Sequence, residues 1–227
     1  FNDNLTAPSL TTTGDGFNLS LLGAATTISD ETIFFNTGTL TLANGADTLT
    51  FVGGVDASAG NAISVGGTVN TTDTAMDFGD VSLNAASTFD TNNAAAGTMV
   101  IGAVTTNANQ LTLDSGSTAG ATMGIGAIDD ATGGVIIRDA GGLATIASVG
   151  GAAGTLQVVD SQAGVTFTGV VNVGTVDLDD TTGTIEFSNN LTAATLTTAA
   201  TAFDLSLLGG TTAITNDTSF VNTGALT

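Results

Sequence analysis

The chain overlays itself. Residues Phe1 to Thr41 align without a gap on Phe187 to Thr227 at an offset of 186, and 23 of the 41 positions are identical. The stretch "LTAPSLTTTGDGFNLSLLG" from Leu5 returns as "LTAATLTTAATAFDLSLLG" from Leu191. Long-range repetition of this kind points to stacked units, because each unit must bury its apolar side against the next. Residues 1–227 then form one continuous segment, in which 1–186 is one full long repeat and 187–227 is the start of the next. Leu5, Phe17, Leu19, Leu21, Ile28 and Leu40 recur unchanged, while changes fall on polar positions such as Asn18 to Asp204 and Asp30 to Asn216. The repeat holds its apolar skeleton constant.

Between the two copies, local alternation is the dominant signal. "TLTFVG" from Thr48, "AMDFGDVSL" from Ala75, "GVTFTGVVNV" from Gly164 and "TIEFSNNL" from Thr184 each place apolar residues two apart. That period belongs to strands with one buried face. Ala is plentiful but sits beside Gly and Thr, never on a helical stripe with charges opposite. The chain reads as all-β. The four successive pairs Met99–Ile101, Leu111–Leu113, Met123–Ile125 and Val135–Ile137 are spaced at an interval of 12. Strands this short, the absence of the Trp and Tyr that anchor sandwich cores, and the long repeat favour a parallel β-helix (β-solenoid) over a sandwich. With about two strands and their bends per coil, a coil takes roughly 20–24 residues and the long repeat holds eight or nine coils. The alternation turns Phe17, Leu19 and Leu21 inward, with Phe203, Leu205 and Leu207 in the second copy, and leaves Asn18, Ser20, Asp204 and Ser206 outside.

Charge narrows the function classes. The formal net charge is −20, with Arg138 the only basic side chain. Nucleic acid is excluded as a partner, since a phosphate backbone is held by Lys and Arg. No apolar run approaches the roughly 18 residues of a membrane span, so membrane insertion is not expected. There is no Cys, His or Lys. A nucleophile would lack its usual base, and the chain is read as not an enzyme. Arg138 reads as a surface residue paired with Asp139 or with a carboxylate of a neighbouring coil.

Metal binding has one focus. Asp177 and Asp179 are two apart on a strand and point the same way, and Asp180 follows them, so this set is the candidate site for calcium. No cofactor is otherwise required. Sequons at Asn4, Asn18, Asn70, Asn190 and Asn216 arise by chance in a chain this rich in Asn and Thr. The Thr-x-Thr phrases at Thr39, Thr48, Thr166 and Thr195 have the form of an ice-binding face, but their spacing is too irregular to keep register on every coil.

The phrases "GTLTL" at Gly38, "GTIEF" at Gly183 and "NTGALT" at Asn222, with the acidic Cys-free composition and the long repeat, resemble bacterial β-strand-repeat surface proteins. These comprise autotransporter-passenger, haemagglutinin-like and giant adhesin or surface-layer-like chains. The resemblance implies an extracellular, secreted or cell-surface location. The expected function is structural, as part of a fibre, sheath or surface layer, with self-association or further repeats of the same chain as partners. The alternative is the stalk or passenger of an adhesin; ice binding and polysaccharide lysis rank below both.

Overall fold

Runs such as Thr48–Phe51 and Met99–Ile101 put Leu49 and Phe51, or Met99 and Ile101, on the buried side of an extended backbone and Thr50 or Val100 on the other. Strands of two to four residues bury too little to stand alone and must be held by neighbours in space. The computed structural model, which describes residues 1–59, 62–180 and 182–227, shows how they are held. The chain winds as a β-solenoid, and every strand pairing among the described residues is parallel, between one coil and the next. The one helical element among the described residues is a single 3-10 turn, Ala131–Gly133. Among the described residues no helix is long and apolar enough to cross a membrane.

Paired residues give the coil length directly. It is 21 residues from Leu19 to Leu40, 18 from Ile63 to Val81, 24 from Met99 to Met123 and 20 from Val171 to Leu191. The chain therefore makes about ten turns of about 21 residues, the short-repeat stacking typical of solenoids.

Each coil has three faces, not the two strands that the sequence reading assigned. One coil runs through Thr39–Leu42, Thr48–Phe51 and Val55–Ala57 on its first, second and third faces. The next runs through 62–65 and 68–71 of one bent strand, Ala62–Thr71, and then Met76–Phe78. Gly67 sits at that bend with φ +96°, a left-handed conformation that costs glycine little. The missed face is the least visible in sequence. Where the interval of 12 is clearest, Met99–Ile101 and Met123–Asp129 open on the third face, while Leu111–Asp114 and Val135–Asp139 lie on the second. Between them the first face is only Val104–Thr105, with one buried side chain and no alternation to detect. Twelve residues is half of a 24-residue coil.

The core is a set of ladders running along the stack. Leu49, Val69, Phe89, Leu113, Ile137, Val158 and Leu178 are all buried and each is in register with the next. The Phe167 and Phe187 rings stack at 4.9 Å, and the Phe34–Phe51 and Phe78–Phe89 pairs meet edge to face. Aromatic pairs of these geometries add to the burial of their area.

The repeat reproduces more than the apolar skeleton. The Ala25 amide donates to Asn4 Oδ1 at 2.9 Å, and its counterpart Thr211 donates to Asn190 Oδ1 at 3.0 Å. Thr39 N–H donates to Asn18 Oδ1 at 2.9 Å, and Ala225 N–H to Asp204 Oδ1 at 2.6 Å. Phe35 N–H donates to Thr12 Oγ1, and Val221 N–H to Thr198 Oγ1. Each pair is offset by 186 in both donor and acceptor. Gly38 and Gly224 recur because an added Cβ would fall 2.3 Å from Phe17 O or 2.2 Å from Phe203 O. Three of the sequons, Asn4, Asn18 and Asn190, are thus acceptors fastening one coil to the next.

The two copies do not lie on the same face. Eight coil-to-coil steps lead from Leu19 through Leu40, Ile63, Val81, Val104, Ile128, Val149 and Val171 to Leu191, all on the first face. Leu205, the counterpart of Leu19, lies further along, on the third face over Ile185. Leu5–Ala7 and Leu191–Ala193 are displaced likewise: Thr6 and Ala7 pair on the second face, their counterparts on the first. The long repeat therefore spans eight and two-thirds turns.

Phe203 and Leu205 are buried as the alternation requires, but Phe17 is 40% exposed and Leu19 only half buried. Phe17 and Leu19 lie in the first described coil, which the following coil covers from one side, and Leu19 packs against the core there. Leu207 is also only partly buried.

Truncating Phe167 to Ala should cost about 3–5 kcal/mol, because a stacked ring leaves a cavity. Val100→Ala, on the 49%-exposed outward side of a neighbouring ladder, should stay within about 0.5 kcal/mol. Denaturant midpoints of the two variants check the face assignment. Asn18→Asp should be tolerated, as its counterpart Asp204 keeps the same acceptor, whereas Asn18→Ala should cost about 1 kcal/mol for the lost bond. Thermal unfolding measures both.

Candidate functional site

The feature that stands out is a column of carboxylates, partly buried, at the corner that follows the second face. Asp90, Asp114 and Asp139 end their strands in mutual register, one on each of three consecutive coils. Asp160 and Asp180 follow the second-face strands of the next two coils, so the column extends to five. Local chemistry explains why Asp recurs at that place. A strand must end there in a tight corner, and an Asp side chain can accept the backbone N–H two residues on. Asp90 Oδ1 accepts from Asn92 N at 2.7 Å, and Asp114 Oδ1 from Gly116 N at 3.0 Å. Asp180 Oδ1 accepts from Ser161 N of the coil beneath at 2.7 Å.

Stacking then places like charges at strand spacing. Arg138, the only basic side chain, reaches back one coil to Asp114, with Nη1 3.4 Å from Oδ2. The expected pairing with a neighbouring coil's carboxylate is the one observed. Burial, followed by the charge of Asp90, pushes the Asp114 carboxyl above its usual range, against the pull of the Gly116 amide and Arg138. Burial, then Asp114 and Asp160, push Asp139 up to about 6. One buried oxygen of Asp139, Oδ1, has no hydrogen-bond partner. A shorter stack, Asp56 over Asp77 on the third face, behaves alike, with burial and then Asp56 raising Asp77.

Asp177, Asp179 and Asp180, the calcium candidates, are divided. Asp177 and Asp179 converge on the Gln157 amide of the coil beneath, whose Nε2 lies 3.5 Å from Asp177 Oδ2 and 2.9 Å from Asp179 Oδ2. Thr197 Oγ1 donates to the other Asp177 oxygen at 2.6 Å. Asp180 is fully buried and turns to Ser161. Among the described residues no group of three or more His, Cys, Asp or Glu is arranged to hold a metal ion.

The Thr-x-Thr phrases are also divided, since Thr39 lies on the first face, Thr48 and Thr195 on the second and Thr166 on the third. Register nevertheless survives irregular spacing better than the sequence suggested. Thr48, Thr68, Thr88 and Thr112 form one continuous column. Its companion column two residues on changes from Thr50 to Asn70, Asp90 and Asp114, so the paired-Thr surface passes into the acidic one.

Sequence reading overlooked the five-carboxylate column because its members are 20 to 25 residues apart. Only a known coil length makes that spacing meaningful. The surface clefts are open grooves between coils, lined by groups such as Gln110, Thr132 and Gln157, or Thr50, Asn70 and Asp90.

Asp139 sets a pH dependence whose sign follows from linkage. Its folded-state pKa of about 6 lies above the ordinary value of 3.8, so the folded protein holds this proton more tightly. The associated stability is complete below about pH 4 and is lost as pH rises through about 6. Asp139→Asn should flatten the profile and raise stability at pH 7 by about 1 kcal/mol after solvent screening, or about 2–3 °C in Tm. Calorimetry from pH 4 to 8 measures this; an unchanged slope in the variant refutes it.

Comparison with family models, with curated proteins and with solved structures returns no match for this chain.

Proposed function

We propose that this chain is a structural repeat protein of the cell exterior, a rod of coils that extends a fibre, sheath or surface layer. Its partners are further repeats of the same sequence or further copies of it. The observation that carries this reading is what the second copy reproduces. It keeps the core residues and the side-chain acceptors that tie one coil to the next, while outward positions drift, from Asp15 to Thr201 and Phe35 to Val221. Selection for a binding or catalytic surface would reproduce outward constellations.

The mechanism is mechanical. Each coil presents a row of unpaired backbone groups on which the next coil pairs, so length grows by adding coils without new chemistry. The acidic exterior keeps the rod soluble and separates it from neighbours. A non-enzymatic role is supported by the lack of His, Cys and Lys and by the engagement of the single Arg with Asp114. The reading requires no cofactor.

Immunogold electron microscopy of the producing cells, with antibody raised against this chain, tests the proposal. Label along fibres or a continuous layer outside the envelope is the expected result. Label confined to the cytoplasm, or scattered without any extended structure, overturns it.

A further inference from the structure

One dipeptide lies where the fold leaves it open to chemistry. Asn44–Gly45 is the only Asn-Gly step in the sequence, and it forms the corner between Thr39–Leu42 on the first face and Thr48–Phe51 on the second. Both residues are exposed. Asn44 N–H donates to Asp47 Oδ2 at 3.1 Å, which holds the start of the turn. Among the described residues, neither the Gly45 N–H nor the Asn44 side chain has a hydrogen-bond partner. Gly45 takes φ +83°, and nothing lies within 4 Å of the place where a Cβ would stand. Other asparagines are held. Asn4, Asn18 and Asn190 accept backbone amides of the next coil, and the amide after Asn93 donates to Asp73 Oδ1 at 2.8 Å.

We propose that Asn44 is a self-modification site, at which the Gly45 backbone nitrogen closes on the Asn44 side-chain amide and converts it to aspartate or isoaspartate. The Gly45 nitrogen gives its proton to a solvent base and bonds to Asn44 Cγ. The Cγ–Nδ2 bond breaks, and that nitrogen leaves as ammonia. Water then opens the cyclic imide at either carbonyl, and no oxidant or reductant takes part. Glycine makes the ring reachable, because a residue without Cβ can rotate its nitrogen onto the preceding side chain. Opening at the side-chain carbonyl restores the ordinary main chain and adds only a negative charge. Opening at the main-chain carbonyl leaves isoaspartate, with an extra methylene in the backbone. The corner has no slack for it. Asp47 O and Gly45 O press on Gly67 of the next coil, where an added Cβ would fall 2.5 Å and 2.8 Å from them. Thr68 N–H donates to Asp47 O at 2.8 Å, so isoaspartate loosens the start of the second face on that coil. The inference does not depend on the fibre reading, since it follows from the corner alone.

The test ages the full chain in mildly alkaline buffer, both folded and in denaturant. Peptide mass spectrometry locates each converted asparagine, and electron-transfer fragmentation separates aspartate from isoaspartate. In the folded chain Asn44 should convert ahead of every other asparagine, and within about tenfold of its rate in the unfolded chain, as an exposed turn opens at little cost. Asn44→Gln keeps the amide but misplaces its carbonyl, and should lower conversion at this position by more than about tenfold. Hydrogen exchange at the Thr68 amide should be about tenfold faster in the isoaspartate fraction than in Asn44→Asp, which carries the charge on an unaltered backbone. Conversion of Asn44 in denaturant alone would show that the fold protects it, and overturns the proposal. Conversion spread evenly over the asparagines overturns it as well. Equal Thr68 exchange in the isoaspartate and Asn44→Asp chains refutes the tight corner.

Discussion

Every other feature of the molecule depends on the backbone hydrogen bonds that join one coil to the next. They are parallel, they run along the stack, and they fix residue against residue with little slippage: Val171 against Leu191, Thr175 against Thr195, Ile185 against Leu205. Differences in coil length from 18 to 25 residues are taken up at the corners and at local register shifts, as between Leu83 and Ser87, Leu113 and Asp114, and Gly151 and Thr155. Register, once fixed, turns each sequence position into a column. Apolar columns become the core, Thr48 to Thr112 becomes a hydroxyl row, and Asp90 to Asp139 becomes a charged one.

The charged column shows local and global demands in conflict. Asp suits the corner because its side chain closes the turn, as at Asp90 and Asp114. Repeating that local solution on successive coils stacks like charges, and burial adds to the difficulty at Asp114 and Asp139. Arg138 relieves one member. Such a column is tolerated when the ladders beneath it outweigh it, which a core continuous along the stack provides.

The solenoid was legible in the sequence because alternation, short strands and self-similarity all have one simple physical reading. The inward phase of Phe203 and Leu205 followed from the same alternation. The third face was not legible, since a strand such as Val104–Thr105 contributes one buried side chain and leaves no period. The roles of Asn4 and Asn18 were hidden because fastening a backbone amide 21 residues away leaves no local pattern. The separation of Asp180 from Asp177 and Asp179 was hidden for a related reason. Strand alternation predicts which side a residue faces, but a chain turning a corner no longer obeys it, and Asp180 turns inward to Ser161.

The eight-and-two-thirds-turn span has a consequence for any rod built from several such repeats. A mark carried once per repeat reappears a third of a revolution round the axis, so it traces a slow spiral like the lay of a rope. Two rods lying side by side would meet matching surfaces only at every third repeat. Crystalline bundling of neighbours is discouraged, while bending stiffness is shared evenly among all directions.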